Sequence, residues 1–409
     1  MPLVSCRRHI QPLTGRLKLK LAISHDEHRR RHSRLQEKVQ DAGLNALLCF
    51  SPENIYYLTG FETIGHYFLQ CLVVSADADP VLVLRAFETP NVEALTWLKA
   101  YRGYQDHEDI AEVVGDVVRG LGSRIGFESE SWFVSPAVAG RLQSRLGDRM
   151  VATTGLVEGL RVVKSPAEID LIRAAARHTE AGMDAAFQAS QLGATEDDVA
   201  GAVYQRMISS GSSYPSLPPF ITTGPRSALP HATWSGRLLE LGDALFYEVG
   251  GSAGRYGAAL IRVGSLGDPP REGREALHRA TGVIAEALEA LIEAIRPGAT
   301  GEDVHHASRK QICRGGLGDL NRNRSGYSIG ISFPPDWGEG QIFSLREGET
   351  RPLEPGMVFH LVPNALIPDV AAVGLSETIL VTETGCECLT SYPRAIRICD
   401  GGTTDLSVS

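Results

Sequence analysis

Leu192-Gly-Ala-Thr-Glu-Asp-Asp-Val199 returns about 105 residues later as Pro297-Gly-Ala-Thr-Gly-Glu-Asp-Val304. Each copy follows a long Ala-rich helical segment, 166–191 in one case and 274–296 in the other. Each opens a further helix. Thr195 and Thr300 are the capping residues, and Asp198 and Asp303 stand three positions on, where a carboxylate reaches back to the cap. Strand-rich sequence follows both copies. Two helix–helix–strands units in tandem imply an α+β domain with an internal pseudo-twofold.

Upstream, Ser165-Pro166-Ala167-Glu168 is a strong helix start, with a capping serine, proline at the first helical position and a glutamate that can close the capping box. Ile169, Ile172, Ala175 and Ala176 mark the apolar face of that helix. A domain boundary therefore falls near 156–165. Before it, the chain alternates helix and strand: a helix over 25–42 with Leu35, Val39 and Ala42 on one stripe, buried strands at 46–50, 71–74 and 81–84, a strand-like Ile55 to Leu58, a helix over 109–120 and a short strand at 124–127. That is an α/β domain. Arg29, Arg30, Arg31 and Arg34 read as the solvated face of the first helix. The expected organisation is an extension at 1–22, an α/β domain at 23–155, the pseudo-twofold domain at 160–395 and a tail at 396–409.

Composition narrows the function classes. A length of 409 residues suits two domains, and 43% apolar with 22% charged residues can bury ordinary cores. The net charge of −9 and the lack of a long basic stretch argue against a nucleic-acid partner. No run approaches the roughly 18 apolar residues of a membrane span, and residues 1–22 do not read as a secretory signal. Seven scattered cysteines do not form a disulfide framework and suit a reducing cytoplasm. Cys386 and Cys388 lack the second pair that a zinc site needs.

Chemistry-bearing residues interrupt several apolar segments. His231 sits in Leu229-Pro230-His231-Ala232-Thr233-Trp234-Ser235-Gly236-Arg237, a polar loop in which a neutral imidazole can take a proton from water. Glu248 lies within Gly242-Asp243-Ala-Leu-Phe-Tyr-Glu248-Val-Gly250, where a carboxylate inside an apolar strand is costly unless paired or functional. The return strand of that hairpin carries Arg262. Gly326-Tyr327-Ser328-Ile329-Gly330 runs into Phe333-Pro334-Pro335-Asp336-Trp337-Gly338-Glu339, material for a rigid pocket wall rather than a core. His360 interrupts the strand after Leu353-Glu354-Pro355-Gly356-Met357, and Glu377 interrupts Gly374-Leu375-Ser376-Glu377-Thr378-Ile379-Leu380.

Taken in order, these segments resemble the pita-bread superfamily of creatinases and Xaa-Pro peptidases from about residue 161 to 390. Asn54-Ile55-Tyr56-Tyr57-Leu58-Thr59-Gly60 resembles the smaller N-terminal domain of its creatinase and prolidase members. The metallopeptidases of that superfamily hold two metal ions with two Asp, one His and two Glu. The resemblance sets Glu248 at the first Asp position, Ala259 at the second, Tyr327 at the His position and Val362 at the first Glu position. The second Glu position falls on Ser376, or on Glu377 if the strand slips by one. Ala and Val cannot ligate metal, so the resemblance implies a dismantled metal site and no cofactor. It points to the non-metal branch with creatinase and ectoine hydrolase, and most closely to ectoine hydrolase and its relatives, although Gly257 stands where a histidine is expected.

The leading expectation is thus a metal-independent hydrolase of a C–N bond in a small cyclic amidine, guanidine or amide. His231 is the base, Glu248 and Glu377 are carboxylates for a cationic group, and Tyr327 and His360 are proton donors. Asp336, Trp337, Glu339 and Arg262 contact a substrate that is zwitterionic or amidine-containing. The resemblance further implies a homodimer in which Tyr67 or Phe68 reaches the partner's pocket. A cyclase or isomerase with a pocket enlarged at Gly257, Ala258 and Ala259, a non-catalytic binding protein and an Xaa-Pro metallopeptidase are the alternatives.

Overall fold

The computed structural model describes residues 21–367 and 371–400. All but the end of the extension expected at 1–22, including Cys6, lies outside the described residues, as does the chain beyond residue 400. The described residues form two compact units that divide between Thr154 and Gly155.

The first unit carries helices α1 (His25–Asp41), α2 (Pro52–Thr59), α3 (Thr89–Leu95), α4 (Ile110–Val117) and α5 (Pro136–Leu146). Its strands are β1 (Ala46–Cys49), β2 (Cys71–Ser75), β3 (Val81–Arg85), β4 (Ala100–Tyr104), β5 (Ile125–Glu128) and β6 (Met150–Thr153). They form one mixed sheet in the order β4-β3-β2-β1-β5-β6, antiparallel at β1–β2 and β2–β3 and parallel elsewhere. Val113 and Val114 of α4 and Leu142 and Leu146 of α5 pack on Leu48, Val73, Val83 and Ile125 of the sheet. Two expectations are corrected here. Ile55–Leu58 is helical, in α2. All four side chains are buried, so no periodicity distinguishes a buried helix from a buried strand. Arg31 does not belong to a solvated face. It is 3% exposed, donates to the Tyr57 carbonyl at 3.2 Å and pairs with Glu27 at 2.7 Å, while Arg29, Arg30 and Arg34 are exposed.

The second unit opens with α6 (Glu158–Arg161) and then repeats a pattern. The first copy is α7 (Pro166–Ala189), α8 (Glu196–Ser209), β7 (Phe220–Thr223), β8 (Ala244–Ala253) and β9 (Tyr256–Leu266). The second is α9 (Arg271–Ala294), α10 (Gly301–Arg314), β10 (Gly326–Phe333), β11 (Asp336–Gly338), β12 (Ser344–Leu345) and β13 (Val358–Leu361), followed by β14 (Asn364–Ile367), β15 (Ala371–Gly374), β16 (Glu377–Val381), β17 (Cys386–Cys388) and β18 (Arg397–Cys399). The copies match in detail. The long helices have 24 residues each and the short ones 14. Thr195 with Asp198, and Thr300 with Asp303, close the same capping box. Gly193 and Gly298 turn the chain with φ of 84° and 85°, a conformation that glycine adopts at little cost. Thr195 bridges Leu238 and Thr300 bridges Pro352, so even the isolated β-bridge at each helix start is duplicated.

The main sheet runs β17-β16-β13-β10-β9-β8-β7, with β11 and β12 on β10 and β18 on β9. The expected tail is corrected in part, because Arg397–Cys399 is a strand paired in parallel with Gly264–Leu266. Helices cover one face. Met183, Phe187, Val199 and Val203 of the first copy pack on Tyr247, Val249 and Leu260. In the second copy Ile284, Leu288 and Leu291 of α9 pack against Phe359, Leu361, Ile379 and Val381. The approach is close: Gly251 donates its N–H to Thr179 Oγ1 at 2.8 Å, and a Cβ there would lie 3.0 Å from the Ala175 carbonyl oxygen. Side chains alternate along a strand. With residues 247, 249 and 251 turned to the helices, Glu248 and Gly250 face the other way, and His360 does so between Phe359 and Leu361.

Candidate active site

The helix-free face gathers a chain of hydrogen bonds. Register pairs Tyr327 with His360 and His360 with Thr378, which puts the three on one face across β10, β13 and β16. Trp337 Nε1–H donates to the Tyr327 hydroxyl oxygen at 2.9 Å. That hydroxyl shares a hydrogen with His360 Nδ1 at 2.9 Å, and His360 Nε2 shares one with Ser376 Oγ at 2.7 Å. Ser376 Oγ also accepts the Ile261 N–H at 2.5 Å, which fixes the far end to β9. Thr378 Oγ1 accepts from the Ala259 N–H at 3.1 Å.

His360 is fully buried, and burial pulls its ionisation down to about 3, with Arg324 and Arg262 adding to the effect. It is neutral at physiological pH. Its two nitrogens can exchange donor and acceptor roles, so a change of tautomer reverses the Tyr327–His360–Ser376 links, while Trp337, a donor only, keeps its direction. In one direction Tyr327 donates to His360. In the other His360 donates to Tyr327, and the phenol hydrogen is released toward the open side of the face. Burial, with the Glu248 carboxylate next, pushes the Tyr327 phenol up, so it stays protonated.

Glu248 is half-buried on the same face of β8. Burial raises its carboxyl from 4.5 to about 8, and the Asp336 carboxylate adds to the rise. At neutral pH it is a protonated acid, able to donate. Gly250, two residues on, leaves room for Trp337: a Cβ there would lie 2.6 Å from the indole ring. Phe220, opposite Glu248 in the sheet, stands 5.6 Å from Trp337 and 5.6 Å from His231, ring centre to ring centre. His231 is exposed, with φ of 56°, and makes no hydrogen bond among the described residues. Asp336 is half-buried and accepts the Gly338 N–H at 2.9 Å.

The structure therefore brings Glu248, Tyr327, Trp337, Asp336 and His360 together, with His231 beyond Phe220. Three expected site residues are corrected. Glu377 shares the parity of Ile379 and Val381 and points to the helix-covered face. It is 1% exposed, paired with Arg262 at 2.7 Å and with Arg394 at 2.9 Å. Arg262 is likewise buried, and its remaining donors go to the carbonyls of Ser376, Tyr392 and Pro393. Glu339 is buried between Arg161 at 2.6 Å and Lys164 at 2.8 Å. Burial alone would raise its carboxyl, but Lys164 and Arg161 outweigh that and hold it below the usual range. Tyr67 and Phe68 belong to the first unit, where Tyr67 is exposed with its ring 4.8 Å from that of Phe68. Two residues were missed. Ser376 carried only the ambiguity of a one-residue slip. Arg324, with its guanidinium 4.3 Å from the Tyr327 ring centre, lies in a polar stretch, Asn321 to Ser325, without a distinguishing pattern.

The metallopeptidase family M24 model matches residues 170–383, and the creatinase/prolidase N-terminal domain model matches residues 31–163. The chain belongs to metallopeptidase family M24. An ectoine hydrolase of Halomonas elongata is 28% identical over 93% of this chain and 99% of its own. An uncharacterised hydrolase/peptidase of Sinorhizobium fredii is 30% identical over the same shares. The dipeptidase PepE of Mycobacterium ulcerans has the same pita-bread fold, with a TM-score of 0.79 at 24% identity over 92% of this chain and 99% of that one. The two M24 metal ions do not fit this donor set. At the ligand positions Ala259 and Val362 offer no ligand atom, the Tyr327 and Ser376 oxygens are held in the hydrogen-bond chain, and Glu248 is the one carboxylate left. Among the described residues the one cluster of three metal-ligating side chains within reach of one another is Glu302, His306 and Glu347, which lies outside this site on α10 and the turn after β12. No described helix is long and apolar enough to cross a membrane.

Proposed function

We propose that this M24 hydrolase cleaves a C–N bond in a small cyclic amidine, guanidine or amide, and does so without a metal ion. The observation that carries the reading is the exchange of ligand atoms for proton-bearing ones: Glu248, its carboxyl raised by burial, shares the face of the Trp337–Tyr327–His360–Ser376 chain. The likeness to the ectoine hydrolase of Halomonas elongata supports this substrate class over a peptide.

In this reading His231 takes a proton from water as its oxygen bonds to the substrate carbon, and the C=N electron pair moves to nitrogen. Glu248 then protonates the leaving nitrogen as the C–N bond breaks and an electron pair of the added oxygen closes the C=O, the hydroxyl proton passing to the Glu248 carboxylate. Tyr327, its hydrogen freed by the His360 tautomer in which Nδ1 donates, hydrogen-bonds the tetrahedral centre. Asp336 and Trp337 line the planar group. Homodimerisation, with Tyr67 and Phe68 meeting the partner's site, and a cytoplasmic setting complete the proposal. The test is a panel of cyclic amidines, guanidino acids and N-acyl diamino acids analysed by mass spectrometry. A product heavier by one water than a cyclic amidine is expected. Turnover confined to Xaa-Pro dipeptides would overturn the reading.

A further inference from the structure

Arg262, which the sequence set against the substrate, is taken up by Glu377. The site nonetheless holds a cation without an anion. Arg324 is half-buried just before β10. Its guanidinium lies over the Tyr327 ring, 4.3 Å from its centre, and Nη1 donates to Ser344 Oγ at 3.0 Å. That is its one hydrogen bond among the described residues, and no described carboxylate forms an ion pair with it. None of its nitrogens is buried without a partner, so the free donors are open to solvent. Several other buried or half-buried arginines of this unit have an acidic partner, and Arg255 and Arg309 bond to carbonyl oxygens. Arg161 pairs with Glu339, Arg226 with Glu196, Arg237 with Asp243 and Arg262 with Glu377. Asp336 acts on Arg324 through space without pairing with it.

A planar fork with its donors free, partly removed from water and backed by an aromatic face, matches a carboxylate bidentately. The Tyr327 ring links the two ends of the site, with Arg324 over its face and its hydroxyl in the chain to His360. We propose that Arg324 binds a carboxylate carried by the substrate itself, so that the site accepts a small molecule with a carboxylate at one end and a planar nitrogenous group, set against Glu248 and Asp336, at the other. This rests on the hydrolase reading above for the second half of the molecule only.

The test is binding, measured by calorimetry on the full chain. The probes are a tetrahydropyrimidine carboxylic acid and the primary carboxamide of the same ring. The unsubstituted protein is expected to bind the acid roughly 10- to 100-fold more tightly, the range of a charge-assisted hydrogen-bonded pair. Arg324→Gln should remove that preference by weakening the acid alone, and Arg324→Lys, which keeps the charge but not the fork, should restore part of it. Thermal unfolding checks the fold of each variant. If the Gln variant does not fold, the acid-to-carboxamide ratio of the Lys variant carries the test. Equal affinity for both probes in the unsubstituted protein, or an equal loss for both in Arg324→Gln, would overturn the assignment. Binding of neither probe would overturn both readings. Acid-selective binding without hydrolysis would overturn the hydrolase reading alone.

Discussion

Glu248→Gln replaces the site's acid by its uncharged isostere, and folding stability reads the result without any substrate. Burial, with Asp336 next, lifts the Glu248 carboxyl from 4.5 to about 8. Between those pH values the folded chain holds a proton that the unfolded chain has released. The contribution of this group is therefore whole below about pH 4.5 and is lost as pH climbs through about 8. At about 1.4 kcal/mol per unit the full shift sets a ceiling of about 5 kcal/mol. The partial solvent access of Glu248 lowers the expectation to roughly 2–3 kcal/mol. Glutamine carries no ionisable proton. Urea titrations at about pH 5 and about pH 9 should thus find the unsubstituted protein losing that amount relative to Glu248→Gln. Parallel pH profiles for the two proteins would refute the argument, because they would mean that Glu248 is already ionised at neutral pH and cannot be the acid.

His231→Ala should lower kcat by about 100- to 10,000-fold with the fold intact, since general-base catalysis typically contributes that much; near-normal turnover would remove His231 from the mechanism. Glu377→Ala should behave as a stability variant, losing roughly 3–5 kcal/mol because Arg262 is left buried and unpaired, and a soluble, stable variant with a selective KM defect would return Glu377 to the site. Sedimentation should find a homodimer, and a fully active monomer would exclude a shared site involving Tyr67 and Phe68.

The duplicated Gly-Ala-Thr segments made the pseudo-twofold legible, because capping boxes and a glycine turn are local chemistry that tertiary context rarely overrides. The site was legible up to the parity of its strands. Ser376 and Glu377 are neighbours, and a strand turns one of them to the open face and the other to the helices. The sequence left both open, and only the pairing of His360 with Thr378 decides for Ser376. Glu339 and Arg262 misled for the reason that makes any buried charge conspicuous: a structural ion pair and a binding group look alike until the partner is known. The partners of Glu339, Arg161 and Lys164, lie about 175 residues away in the chain. Arg324 was invisible for the opposite reason. Its meaning lies in the absence of an acidic partner among the described residues, which needs the neighbouring strands. Ile55–Leu58 failed at the level of period, since a helix buried on all sides carries none.

The central claim is that protons held by side chains do the work that metal ions do elsewhere in family M24. It is tested most directly by assaying purified protein on a cyclic amidine carboxylic acid before and after exhaustive chelation, with elemental analysis of the same samples. Substoichiometric Mn, Co, Zn and Fe are expected, with a turnover rate that chelation leaves unchanged. A transition metal held at one or more per chain, lost together with activity and restored with it, would contradict the account.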